Sequence, residues 1–179
     1  VNTSLANDKD WTMNAYFKIN SVPRTNTTSG NGGVVFGASY YNGAGIFWFR
    51  ETTDYTYALS SGKRAGNIYH TTEKDGYYKK YPIGTYHYIT IVHDYTNRKI
   101  KVYDNMNKIL EETLGDNETY SNVSTIGTIG ISKAQNFGGN YTASHVGINM
   151  YKAQIYSKAL TEEELLHNYN YDKEKFNLE

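Results

Sequence analysis

The chain has 179 residues, 18 basic and 18 acidic side chains, zero formal net charge and 39% hydrophobic residues. That length predicts one domain over 1–179 with room for a core of its own, and the apolar share excludes bulk disorder. The balanced charge excludes a nucleic-acid partner, which needs a basic field, and no run nears the ~20 apolar residues required for membrane insertion.

Cysteine is absent, so disulfides, thiolate zinc sites and cysteine nucleophiles are excluded. The local basic pair Lys79-Lys80 is too short to make a phosphate-binding stripe. Val1-Asn2-Thr3-Ser4 has neither the basic start nor the apolar stretch of a secretory signal, and this assigns the chain to no compartment. The unusual residue is tyrosine, with 19 copies against two tryptophans and six phenylalanines. Its ring packs and its hydroxyl stays wet, which suits half-buried strands and recognition surfaces alike.

In chain order, strands are expected near 11–19, 33–40, 45–51, 55–60, 65–70, 86–93, 99–104, 108–113, 126–132 and 145–156. Pro23 and Pro82 both fall in the loops between them. Trp11, Met13, Ala15, Phe17 and Ile19 alternate with Thr12, Asn14 and Lys18, and Ile100 and Val102 alternate with Lys99, Lys101 and Tyr103. One apolar and one polar side predict antiparallel sheets that each bury a single face. The period changes only at Thr161-Glu162-Glu163-Glu164. Thr161 followed three residues later by Glu164 has the spacing of a capping box, and three glutamates suit the positive start of a helix. Leu165 and Leu166 are expected to dock that helix on the sandwich. The glutamates also fit acid–base or metal chemistry, but a solvated helix start accounts for them more simply.

The stretch Gln154-Ile155-Tyr156-Ser157-Lys158-Ala159-Leu160-Thr161-Glu162-Glu163-Glu164-Leu165, with His167-Asn168-Tyr169-Asn170 after it, resembles the closing signature of laminin-G-like domains of the concanavalin A-like lectin/glucanase superfamily. There a last core strand ends in tyrosine, Ala-Leu follows, and a short acidic helix begins. Trp11 to Ile19 resembles the early strand of that family. Tyr86-His87-Tyr88-Ile89-Thr90-Ile91-Val92-His93-Asp94 with Lys101-Val102-Tyr103-Asp104-Asn105 resembles its central hairpin. Tyr86 stands where that family usually has tryptophan, and Met106 where it often has glycine. The resemblance implies an all-β, concanavalin A-like jelly-roll sandwich of two antiparallel sheets with a short C-terminal helix. Lectins, carbohydrate-binding modules, adhesion domains and glycosidases all use that fold, so function has to be read from the site.

Glycosidases of this fold usually carry a Glu-x-Asp-x-x-Glu strand. Here Glu73-Lys74-Asp75 comes nearest, with Tyr78 in place of the last glutamate. Glu51 and Asp54 flank a turn, and Glu111 and Glu112, being adjacent, point to opposite sides of a strand. There is no Gly-x-Ser-x-Gly, His-Glu-x-x-His or phosphate loop. His87 and His93 are the only histidines that could share a strand face, and a structural pair is the simpler reading than a metal site. No catalytic residue is expected.

Alternating strands would send the loops 21–32, 52–54, 71–84, 105–107 and 133–144 to one end. That end carries Tyr77, Tyr78, Tyr81, Phe137 and Tyr141 with Asn136 and Asn140, rings to stack on sugars and amides to pair with hydroxyl groups. A second candidate is Trp48 with Arg50. A hairpin pairing Glu51 with Tyr55 sets Trp48 opposite Ala58 and Phe47 opposite Leu59. Of two registers for the neighbouring strand, the favoured one sets Phe36 against Phe49 and Gly37 against Trp48, leaving Trp48 between small residues as a stacking platform. The other reading covers or buries that tryptophan.

No cofactor follows from the residues. The resemblance allows calcium, and Asn7, Asp8 and Asp10, like Asp116, Asn117 and Glu118, form oxygen-rich turns without EF-hand spacing. The reading is a non-catalytic carbohydrate-binding, lectin-like module, extracellular, cell-surface or virion-associated, tethered to other domains and binding glycan. The alternatives are a structural or adhesion domain of a bacterial surface or phage tail, and a glycosidase with carboxylates drawn from distant strands.

Overall fold

The computed structural model describes residues 9–21, 32–37, 46–50, 56–61, 70–71, 79–80, 84–113, 128–129 and 147–177; for residue 21 and the segments between 32 and 80, and for 128–129, the description is of the backbone. Eleven strands and one helix are assigned among these residues: β1 Trp11–Ser21, β2 Gly32–Gly37, β3 Ile46–Arg50, β4 Thr56–Ser61, β5 His70–Thr71, β6 Lys79–Lys80, β7 Tyr86–Asp94, β8 Lys99–Asp104, β9 Asn107–Thr113, β10 Thr128–Ile129, β11 Gly147–Tyr156 and α1 Glu162–Phe176. One antiparallel sheet runs β11-β1-β7-β8-β9. The other runs β10-β2-β3-β4-β5, with β6 also on β4. Together they form the two layers of a jelly-roll sandwich.

The inner face of the first sheet follows from the period of two in β1. Trp11, Met13, Ala15, Phe17 and Ile19 form one cluster with Ile89, Ile91, Ile100, Val102 and Leu110, all buried. Each large side chain there contributes about 1.5–3 kcal/mol by leaving water.

The outer face departs from expectation. It was expected to be solvated, yet Thr12 and Asn14 are fully buried, because α1 lies across it. The burial is tolerated because polar partners come with the helix segment. The Thr12 hydroxyl donates to the Lys158 carbonyl (2.9 Å) and accepts from the Leu160 N–H (2.9 Å). The capping box is present as the spacing predicts: the Glu164 N–H donates to Thr161 Oγ1, and the Thr161 N–H to the Glu164 carboxylate. Leu165 docks, but Leu166 does not. The next position on a helix turns about 100° away, and Leu166 is left 48% exposed.

Of the expected strand 65–70 in the second sheet, residue 70 alone is among the described residues, and it is in a strand, His70–Thr71; Lys79–Lys80, expected to lie in a loop, pairs with β4 at Thr56 and Tyr57. β5 and β6 therefore lie successively along one edge of β4. In β3 the hairpin register holds, Trp48 with Ala58 and Phe47 with Leu59. The favoured β2 register does not. Phe36 pairs with Phe47, and Val34, not Gly37, lies opposite Trp48, because an extra residue at Val35 interrupts the ladder.

At the β8–β9 turn Asn105 and Met106 both have positive φ, 47° and 64°. That is why a glycine would suit position 106: both central residues of this two-residue hairpin turn are left-handed.

His93 shows how the inner face constrains charge. Its ring stacks on Trp11, centroids 4.9 Å apart and planes 6° from parallel, and Nδ1 lies 2.9 Å from the Lys9 carbonyl. Burial holds its pKa below 6.5, against the opposing pull of that carbonyl, Asp10 and Asp94; Arg98 adds to the lowering. A depressed folded-state pKa means the unfolded chain takes the proton first. The stability His93 contributes is therefore complete above pH 6.5 and is lost as pH falls below it. Melting temperature should drop between pH 7 and pH 5, and His93→Gln should make that drop smaller. An equal drop in both proteins would reject the assignment.

Candidate functional site

The strongest concentration of exposed recognition chemistry among the described residues lies where the first sheet meets the C-terminal end of α1. The outer side of β1 continues from Asn14 to Tyr16 and Lys18, and antiparallel pairing sets Tyr16 beside Tyr88 and Lys18 beside Tyr86. On the other side of β1 a bulge intervenes. Tyr16 pairs with Lys152 and Phe17 with Met150, so Tyr151 is the extra residue. The bulge brings Tyr151 onto Tyr16, ring centroids 5.0 Å apart. Tyr86 lies 5.9 Å from Tyr16 and 6.0 Å from Tyr151. From α1, Phe176 closes on Tyr16 at 5.6 Å. The helix stops there because Asn177 adopts the left-handed conformation, its N–H capping the Lys173 carbonyl.

These residues wall a cleft of about 440 Å³, with Tyr169, Asn105 and Asn177 completing the lining. That volume lies within the range of small-ligand sites. Tyr86 and Tyr151 are 48% and 41% exposed, so their rings are available to a ligand, while Tyr16 is buried beneath them. Burial, then the neighbouring Tyr86, Tyr151 and Tyr169, pushes the Tyr16 hydroxyl up to about 12, so it stays neutral. Asn105 is fixed from behind: its N–H donates to the Tyr88 carbonyl and its Oδ1 accepts the Tyr88 N–H, both at 2.9 Å. Among the described residues no acceptor takes its exposed side-chain NH2, which can donate to a ligand.

The cleft keeps its shape because α1 is pinned by a buried polar chain. Asn14 Nδ2 donates to the Tyr88 hydroxyl (2.8 Å), which donates to Asp172 Oδ2 (2.8 Å). The Lys152 ammonium completes the chain on both oxygens of Asp172, which is wholly buried.

A hydroxyl–imidazole–carboxylate series also occurs, with Thr85 Oγ1 2.7 Å from His87 Nε2 and His87 Nδ1 3.3 Å from Asp104 Oδ1. Acyl transfer needs oxyanion donors beside such a series. The adjacent Gly84 N–H is instead committed to the Ile19 carbonyl at 2.7 Å, in a backbone turn with φ of 94° that glycine supplies. His87 and His93 are both buried in β7, and among the described residues no group of three or more His, Asp or Glu side chains could hold a metal ion. Glu111 faces Lys101 and Glu112 faces Ile100 across the β8–β9 ladder. Lys108 and Lys99 hold the Glu111 carboxylate, drawing its pKa down to about 2.

Of the residues expected to bind, Trp48 and Arg50 lie on β3, their side chains outside the described residues. Tyr77, Tyr78, Tyr81, Asn136, Phe137, Asn140 and Tyr141 lie outside them altogether, as do Pro23, Pro82, Glu51, Asp54, Glu73, Lys74, Asp75, Asn7, Asp8, Asp116, Asn117 and Glu118. Asp10 is described, and both its oxygens are engaged by Thr96, through N–H and hydroxyl. Sequence reasoning missed the cleft. Its signal was present in Tyr16, the one aromatic on the polar side of β1, where Thr12, Asn14 and Lys18 are its companions.

No protein-family model matches the chain, and no curated protein matches it. Solved structures do. A native heptameric SAP-like pentraxin from Limulus polyphemus is 18% identical, with 88% of this chain and 68% of that one covered and a TM-score of 0.57. A botulinum neurotoxin type C structure, whose cell entry depends on interaction with two ganglioside molecules, is 10% identical, covering 94% and 36%, at 0.59. The binding domain of botulinum neurotoxin DC in complex with rat synaptotagmin II is 11% identical, covering 93% and 37%, at 0.60. The chain thus spans about two thirds of the pentraxin and little over a third of each toxin chain. These likenesses show a lectin-like jelly-roll fold; they do not single out a laminin-G-like domain.

Proposed function

We propose that this chain is a non-catalytic glycan-binding module of an extracellular modular protein, a single domain over 1–179, and that the aromatic cleft beside α1 is a sugar site. The observation that carries the reading is the pairing of exposed Tyr86 and Tyr151 rings with the Asn105 and Asn177 amides in one cleft. Flat rings stack on the apolar face of a pyranose, and amides exchange hydrogen bonds with its hydroxyl groups. Support also comes from neighbours in fold that are named for ganglioside dependence and for a complex with synaptotagmin II. Trp48 with Arg50, and Tyr77, Tyr78, Tyr81, Asn136, Phe137, Asn140 and Tyr141, are proposed as further contacts, with calcium as a ligand to be tested.

Affinity should be modest, with Kd about 10 µM to 1 mM. A broad glycan array, run with calcium and with chelator, should return binders. Tyr86→Ala and Tyr151→Ala should each weaken binding of the best one about three- to tenfold while the melting curve stays cooperative. An empty array would overturn glycan binding. Unchanged affinity in both variants would move the site elsewhere on the module.

A further inference from the structure

The charges beside the cleft narrow the class of sugar. Lys18 stands on the outer face next to Tyr86, its ammonium 5.0 Å from the centre of that ring. Lys175, in the last turn of α1, holds its ammonium 5.5 Å from the centre of the Phe176 ring. Both rings wall the cleft. Among the described residues neither ammonium forms an ion pair. Lys152, by contrast, is neutralised by Asp172, and Asp172 is spent on Lys152 and Tyr88, so it offsets neither of the other two cations.

The end of the helix acts in the opposite sense. Its C-terminus carries about half a negative charge, which falls off within one turn. Two whole ammonium charges exceed it, and the Asn177 N–H already occupies the Lys173 carbonyl. A cationic ligand would also meet two ammonium groups of its own sign beside the cleft. A neutral sugar would use the rings and amides but leave both ammoniums unanswered.

We propose that the cleft takes an anionic sugar residue, a pyranose bearing a carboxylate. Its ring lies against Tyr86 and Tyr151, Asn105 and Asn177 pair with its hydroxyl groups, and Lys18 and Lys175 answer its carboxylate. This rests on the glycan-binding reading above and goes further by naming the ligand's charge.

The test uses matched pairs that differ only in the acid: sialyllactose against lactose, and a glucuronate-containing oligosaccharide against its carboxyl-reduced form, each titrated calorimetrically into the whole chain. At least one acidic member should bind about tenfold more tightly than its partner at low salt, a preference that shrinks near 1 M salt. Lys18→Gln/Lys175→Gln should bring the pair to within about twofold, by weakening the acidic member more than the neutral one. Because Lys175 is exposed, Lys18 is half-buried and neither forms an ion pair among the described residues, the variant should fold. If no sugar of either kind binds, the glycan reading and this inference both fall. Equal binding of acidic and neutral partners overturns the inference alone. So does an acidic preference that survives intact in the double variant, since another site would then carry it.

Discussion

Asp172→Ala should lower the free energy of unfolding by about 3–5 kcal/mol, the cost of leaving one member of a buried ion pair alone. Asp172 has no exposed surface, and the Lys152 side chain opposite it is only 18% exposed. Removing the carboxylate strands that ammonium against the sheet and deprives the Tyr88 hydroxyl of its acceptor. Asn14 feels the loss as well, because it donates to the same hydroxyl and, among the described residues, its own Oδ1 has no hydrogen-bond partner. For a domain whose total stability is about 5–15 kcal/mol, the loss is large enough to show in urea titration without calorimetry. Lys152→Met combined with Asp172→Leu should recover the part due to the stranded ammonium, since apolar replacement removes both charge-desolvation penalties at once, while the Tyr88 hydroxyl still lacks its acceptor. A single variant within about 1 kcal/mol of the parent would mean that the helix is held by Leu160 and Leu165 alone.

The same polar chain shows what was legible in the residues and what was not. Period-two alternation in Trp11–Ile19 predicts the core face, because burial on that face tolerates no slip of register. The Thr161–Glu164 box predicts the helix start, because both its hydrogen bonds are local. Neither says where the helix goes. That Thr12 and Asn14 are buried beneath it depends on Lys158, Leu160 and Tyr88, whose hydrogen bonds to them span up to 148 positions in sequence, and on Asp172 beyond Tyr88. The polar side of β1 looks the same whether water or a capped helix satisfies it. The β2 register was illegible for a related reason. A bulge at Val35 preserves the row Phe36–Phe47–Leu59 while shifting Val34 onto Trp48, and alternation counting assumes that no residue is extra. The bulge at Tyr151 has the same origin, and it helps to build the cleft. Tyr86 is a wall of that cleft.

Phe17→Ala, one residue from Tyr16, separates stability from recognition. Phe17 is 1% exposed, packed in the cluster of Met13, Ile19, Ile89 and Ile91, and its ring lies 6.0 Å from that of His87. Truncation removes the transfer free energy of the ring and leaves a cavity that a sheet held on both faces cannot easily close, together about 3–5 kcal/mol. At this chain length the melting temperature should fall by roughly 6–20 °C. Yet Phe17 points inward and the cleft outward, so the affinity of the folded fraction for the best glycan should stay within about twofold of the parent. Tyr86→Ala should do the reverse, because a ring 48% exposed has little burial to lose. Both variants, titrated calorimetrically below the lower melting point and scanned thermally through it, give four numbers. If Phe17→Ala weakens binding as much as Tyr86→Ala does, the cleft's geometry depends on core packing through β1, and the two faces of that strand act as one unit.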